Sequence, residues 1–421
     1  MKRRNFVKTI GAVGAGSTLA AIPACDAVRT NGGLVATSDD VNQLPEPGDA
    51  LVAHCKAILE QNLVVPGETF VLATPMVFDR DYMLALLVAA GELGATGLHA
   101  AVISHPFDPN APQSRTDGPP GYALTGVHWD LYAEANLLIT TSIGKAPGLP
   151  GPSTSYAVTA GDHPYASDHE YINRPGSKTR WLSLGGSVEN QKQFFPTADR
   201  RERTLRGAIL LDEHRGEIRV TSDAGSDWTT SNIGRPGHAQ YGIADFPGRW
   251  DNFGYGCVAC APEETIGEGV LVLQPGDVIS WNPKPRGYEV ISESVTLNWE
   301  GGYVVSIEGG ALADEYRAHM EGFGDPESFG IGHWGWGTHE ASDPSYTNHY
   351  HHNHIGSLLY NIGINVAHGI GGAEAGYSGL GDSRRTAPNH SHFAMFGCDV
   401  FIGDQQIISA GDLDPIGGGL G

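Results

Sequence analysis

A chain of 421 residues is long enough to build two domains with separate cores. Hydrophobic content of 40% against 18% charged residues excludes wholesale disorder, and a net charge of −22 at pH 7 argues against nucleic acid or an anionic membrane as partner. The 58 glycines and 26 prolines forecast many turns and long irregular connections.

The sequence opens "MKRRNFVKTIGAVGAGSTLAAIPAC", with Lys2, Arg3 and Arg4 ahead of a short Gly- and Ala-rich run. That run is too short and too weakly apolar for a transmembrane helix, and it matches a twin-arginine export signal, assigned to residues 1–27. Ile22-Pro23-Ala24-Cys25 loosely resembles a lipobox, in which Pro23 is an awkward fit. A lipid on Cys25 is the one membrane attachment the sequence admits. The expected location is therefore outside the cytoplasm, either free in the periplasm or anchored as a lipoprotein. Residues 28–48 read as a polar tether.

From there the spacing predicts an α/β domain over 49–215. "TFVLATP" is an apolar strand, "DRDYMLALLVAAGELGA" a helix running from an acidic start to a glycine stop, and "HAAVISHP" a second strand. "DLYAEANLLITTS" gives helix then strand, "TRWLSLGG" a further strand, and "PTADRRERTLRGAILLDEHRG" a closing helix. Short buried strands joined by crossover helices imply a mainly parallel sheet. No G-x-G-x-x-G follows the first strand, so a dinucleotide site is not supported. Over 216–421 the texture changes to short strands punctuated by Gly-Asp and Gly-Gly turns, with one helix at "ALADEYRAHMEG". This predicts a β-rich α+β domain. Cys257 and Cys260 form a C-x-x-C without a second pair to complete a zinc ribbon; packing thiols or a local disulfide fit better than a redox pair.

Chemistry concentrates in the second half. Nine of the 18 histidines fall within residues 333–392. His390 and His392 form an H-x-H that, on an extended segment, sends both imidazoles to one face. Two such ligands do not fix a transition metal and three usually do. His333, held in "GIGHWGWGTHEAS" by glycines and two tryptophans, is the best third candidate. Each of the three also has an ordinary structural reading: a strand histidine on a solvated face, or a turn cap beside packed indoles.

Five stretches together carry a resemblance: "RVTSDAGSDWTTSNIGRP", "PGRWDNFGYG", "VVSIEGGALA", "HWGWGTH" and "RRTAPNHSHFAMFGC". Over roughly residues 205–412 they resemble the thermophilic aminopeptidase superfamily, and more closely its 2,5-dihydroxypyridine 5,6-dioxygenase branch. The resemblance implies a mononuclear non-haem Fe(2+) site and cleavage of a hydroxylated aromatic or N-heteroaromatic ring with O2. It places iron ligands at His333, His390 and His392. The last is a departure, because the dioxygenases carry an aspartate there. Where the aminopeptidases carry a glutamate this chain has His333, and where they carry a further histidine it has Leu359, which removes the basis for a two-metal peptidase site. Glu263 falls on an aminopeptidase ligand and reads as structural or supporting.

Three imidazoles also suit Zn²⁺ with a bound hydroxide, so a metal-dependent aminopeptidase or hydrolase stays open, as does a non-catalytic exported metal- or ligand-binding lipoprotein. Weaker candidates are His368 and His354 as proton-handling groups, against a backbone-bonded loop histidine and an adventitious metal-binding loop. Trp334 and Trp336 are candidates for stacking on a substrate ring, against turn packing. Arg385 is a candidate partner for a substrate carboxylate, against a surface charge. The expected partners are a small aromatic substrate and O2, and the sequence is compatible with a homo-oligomer.

Overall fold

The computed structural model describes residues 47–75, 79–102, 131, 134–141, 176–214, 216–281, 288–344, 353–363, 385, 387 and 389–420. In chain order these form α1 (Asp49–Gln61), β1 (Thr69–Pro75), α2 (Arg80–Glu92), β2 (Thr96–Val102), β3 (Leu137–Thr141), β4 (Arg180–Leu184), α3 (Val188–Gln193) and α4 (Ala198–Glu213). There follow β5 (Glu217–Ser222), β6 (Asp227–Ser231), β7 (His238–Gln240), β8 (Trp250–Asn252), β9 (Cys257–Cys260), β10 (Gly267–Leu273), β11 (Val278–Ser280) and β12 (Tyr288–Val290). The chain closes with β13 (Val295–Glu300), β14 (Tyr303–Gly309), α5 (Ala311–Glu321), β15 (Ile331–Gly337), β16 (Leu358–Gly363), β17 (His390–Met395), β18 (Cys398–Ile402), β19 (Gln405–Ser409) and β20 (Asp412–Leu413).

The first sheet runs β2-β1-β3-β4-β8 and is parallel at every pairing, as the strand–helix alternation implies. Its inner strands bury Phe70, Val71 and Leu72 of β1, Leu137, Leu138 and Ile139 of β3 and Trp181 and Leu182 of β4, while edge strand β2 leaves Leu98 exposed; α1 and α2 cover the sheet with Ile58, Leu59, Tyr82 and Leu86. Asp79 caps α2 by accepting from the Tyr82 amide, which is why that helix starts where the acidic pair stands. The α/β reading of this half holds. One strand is added from far along the sequence: β8 pairs with β4 at the sheet edge.

Two antiparallel sheets make up the rest, in the orders β14-β13-β10-β6-β5-β18-β19-β20 and β12-β11-β17-β16-β15-β9-β7. They share one apolar core in which Trp228 and Trp299 from one sheet meet Tyr360 from the other, ring centroids 5.3 and 5.2 Å from it. The β-rich reading also holds, and α5 lies where "ALADEYRAHMEG" predicts a helix.

"PGRWDNFGYG" turns out to be structural. Arg249 and Asp251 are both buried and joined at 2.6 Å; the guanidinium also donates to the carbonyls of Ala239 and Ile243 and lies 3.8 Å over the Tyr241 ring. Asp251 accepts from the Tyr241 amide, and burial still raises its pKa to about 6 against the pull of Arg249. Cys257 and Cys260 are buried thiols on β9 that are not disulfide-bonded, each donating to a neighbouring oxygen, of Gln240 and Arg235 respectively, which fits the packing-thiol reading.

Candidate metal centre

The site grows from three neighbouring strands. β16 pairs with β15 on one side and β17 on the other, and a single rung aligns His333, Asn361 and His392. Register slips between Ile331 and His333, so Gly332 is an extra residue opposite β16. Such a bulge turns the following side chain relative to the regular pleat. His390 enters two residues before His392 on the same face of β17, the period-two placement expected of H-x-H.

One nitrogen from each of His333, His390 and His392 falls within 4.8 Å of the other two. Nε2 of His333 lies 3.2 Å from Nε2 of His392, and the ring centroids are 5.3, 5.2 and 4.5 Å apart for the pairs 333–390, 333–392 and 390–392. Two nitrogens bound at about 2.1 Å and at right angles on one ion stand about 3 Å apart. The His333–His392 pair therefore has the bite of two neighbouring ligands on one ion, with a nitrogen of His390 within 4.8 Å of both. His333 and His390 are buried and His392 is half-buried, so solvent reaches the set at His392. No other group of three metal-ligating side chains is found among the described residues.

The opposite face of β17 and β16 holds the core: Phe393, Tyr360 and Trp334 are fully buried there. Leu359, at the position where the aminopeptidases carry a histidine, packs with Phe194, Tyr255 and Cys257. An apolar residue so enclosed supplies no second-metal ligand.

The weaker candidates fare differently. Trp334 and Trp336 are both fully buried, and Trp336 donates to the Gly417 carbonyl at 2.8 Å, so neither offers a face to solvent for a substrate ring. Arg385 is also buried. It pairs with Glu327 at 2.5 Å, donates to the Glu264 carbonyl at 2.9 Å and lies 4.5 Å over the Tyr303 ring. That commits its planar fork to protein partners and makes it an anchor for the segment entering β17. His354 bridges to His339, beyond the far end of β15, and its Nδ1 meets the Ser342 carbonyl at 2.8 Å. At about 3.3 Å per strand residue, His339 lies about 20 Å along the chain from His333, which sets His354 apart from the triad. His368 lies outside the described residues. Sequence reading passed over Asn361 and Asn389, both fully buried beside the histidines; lone asparagines in strands carry no spacing signal.

With this geometry in hand, the family model for 2,5-dihydroxypyridine 5,6-dioxygenase matches residues 159–415. The chain belongs to the 2,5-dihydroxypyridine 5,6-dioxygenase family. It is thereby a ring-cleaving dioxygenase, which decides against the peptidase and the non-catalytic readings. A 2,5-dihydroxypyridine 5,6-dioxygenase from Pseudomonas putida KT2440 is 31% identical over 258 residues, spanning 59% of this chain and 68% of that protein. The solved 2,5-dihydroxypyridine dioxygenase from the same organism shares the fold at a TM-score of 0.69, with 24% identity, covering 86% of this chain and 96% of that one. Wild-type AmpT from Thermus thermophilus shares it at 0.55, with 13% identity over 86% of this chain and 98% of that one. The family's match begins earlier than residue 205, where the resemblance in the sequence sets in, and so reaches into the α/β half.

Proposed function

We propose that this dioxygenase holds a single Fe(2+) at His333, His390 and His392 and opens a hydroxylated aromatic or N-heteroaromatic ring with O2. The observation that supports this is the convergence of three imidazoles within 4.8 Å, two of them buried and one half-buried. The donor set fits: neutral imidazole suits divalent iron, and three facial ligands leave about three positions of a six-coordinate ion for substrate and oxygen together. The ion, when bound, supplies the redox centre that ground-state O2 needs to react with a closed-shell ring.

The remaining work falls to the chain. His333 on β15 and His390 on β17, both buried, fix two donors; half-buried His392 faces the side from which a ring enters. Three neutral imidazoles leave a divalent site one unit more positive than a set with a carboxylate at His392, which favours an anionic substrate such as a phenolate or hydroxypyridinolate. Apolar packing behind the strands excludes water from the rear of the site. We also propose export by the twin-arginine route, on Arg3 and Arg4 ahead of a weakly apolar run. That route carries folded protein and lets iron be chosen before zinc or copper is met.

Anaerobically purified protein is expected to contain about one iron per chain, and to consume O2 in step with loss of ring absorbance on a panel of dihydroxypyridines and catechols. Two zinc ions per chain, or iron with no oxygen uptake on any member of the panel, would overturn the reading.

A further inference from the structure

We propose that Asn361 and Asn389 are positioning residues of the histidine site, two buried carboxamides that set the bite of the three imidazoles. This rests on the reading of those imidazoles as the ligands of one metal ion.

His333 and His392 stand on strands separated by β16, so their backbones are two strand spacings apart, about 9.5 Å. Yet their Nε2 atoms approach to 3.2 Å. Both rings therefore lean toward one another across β16, over the residue directly opposite each of them, which is Asn361. Asn361 leaves that space by turning its carboxamide onto the backbone: Nδ2 donates to the Ile362 carbonyl at 3.1 Å and to the Ser391 carbonyl at 3.2 Å. The second of these carbonyls belongs to the residue between the two histidines of β17.

Asn389 repeats the device one step before His390. Its Nδ2 reaches the Ser328 carbonyl at 3.1 Å, the Ile362 carbonyl at 3.4 Å and the Ser391 hydroxyl at 3.2 Å. Each carboxamide sits against a glycine. A Cβ at Gly332, the bulge residue, would collide with Oδ1 of Asn361, and one at Gly363 would stand 2.6 Å from Oδ1 of Asn389. Both asparagines are fully buried, and neither Oδ1 has a hydrogen-bond partner among the described residues. A leucine would suit a dry strand interior better than a half-satisfied amide. What the amide alone supplies is a donor: Asn361 pins the Ser391 carbonyl between His390 and His392, and Asn389 ties the Ser391 hydroxyl and the Ile362 carbonyl beside His390. On the other edge of β17 the Ser280 hydroxyl accepts from the His392 amide at 2.8 Å, so side chains hold the ligand-bearing end from both sides.

The test uses Co²⁺ as probe on full-length protein, following affinity by titration and ligand geometry by the visible d–d bands. Asn361→Ser and Asn389→Ser are each expected to weaken Co²⁺ binding about 10- to 100-fold, the usual effect of losing a group that orients a ligand, and to shift the bands. Asn232→Ser is the matched control. Asn232 is equally buried and bridges Leu211 and Gly216 away from the site, so it should lower the melting temperature while leaving affinity and spectrum unchanged. Wild-type affinity and spectrum in a folded Asn361 or Asn389 variant would overturn the inference. The two substitutions are independent, so either one that folds decides it. A wild-type protein that binds no Co²⁺ would instead remove the metal reading itself, and the positioning role with it.

Discussion

His339 is buried just beyond the end of β15, where its Nδ1 accepts from the Ala341 amide at 3.0 Å and the Phe194 ring meets it edge-on at 5.3 Å. Burial first, then the nearby Arg200 guanidinium, lowers its pKa from 6.5 to about 3. An unfolded histidine takes up a proton near pH 6.5 while the folded one stays neutral, so below pH 6.5 the unfolded state binds more protons and stability falls with pH. The slope approaches about 1.36 kcal/mol per pH unit once the unfolded ring is mostly protonated, and the loss between pH 7 and 4.5 amounts to about 2.5 kcal/mol. His339→Asn keeps an acceptor for the Ala341 amide and cannot titrate. It sacrifices the ring contact at a pH-independent cost of about 1 kcal/mol. Urea unfolding at pH 7 should therefore find the variant less stable by about that amount, and at pH 4.5 more stable than wild type by about 1.5 kcal/mol. Asp251 and Asp277, both raised to about 6 by burial, act in the opposite direction as pH falls through 6, but equally in both proteins. Stability curves that run parallel from pH 7 to 4.5 would refute the argument.

At the metal site, His333→Ala and His390→Ala should each lose most of the bound iron, measured by elemental analysis, since two ligands rarely hold it. His392→Asp should keep the metal and alter turnover by lowering the charge of the site; loss of metal from a folded His392→Asp protein would count against that placement. Arg249→Met leaves the Asp251 carboxylate buried without its partner, and should cost about 3–5 kcal/mol in urea unfolding, with much of it restored by adding Asp251→Asn. Replacing Arg3 and Arg4 by lysine should retain the protein in the cytoplasm, as cell fractionation would show; unchanged export would point to an ordinary secretory signal.

Local pattern carried the regular elements. "TFVLATP" is β1 to the residue, and α4 and α5 end within a few residues of the predicted helices, because burial on one face leaves its period in the sequence. The H-x-H pair was legible for the same reason, and His333 from its glycine-rich setting together with the family resemblance. The bulge at Gly332 was not, since it exists only as a mismatch in register between two strands. Nor were the roles of Arg385, Trp334 and Trp336, where residue type suggested substrate contact and tertiary packing supplied other partners. The helix α1 also escaped notice, though "DALVAHCKAILEQ" buries Val52, Cys55, Ile58 and Leu59 along one stripe.

The membership of β8 in the first sheet bears on how the chain is made. That sheet's last strand, Trp250–Asn252, is translated only after α4 and three strands that belong elsewhere. Until it arrives β4, every residue of which is buried in the finished protein, offers an unpaired edge. A nascent chain paused near residue 215, or a fragment cut there, would carry an adhesive strand rather than a finished α/β unit, and synthesis past residue 252 is what closes it.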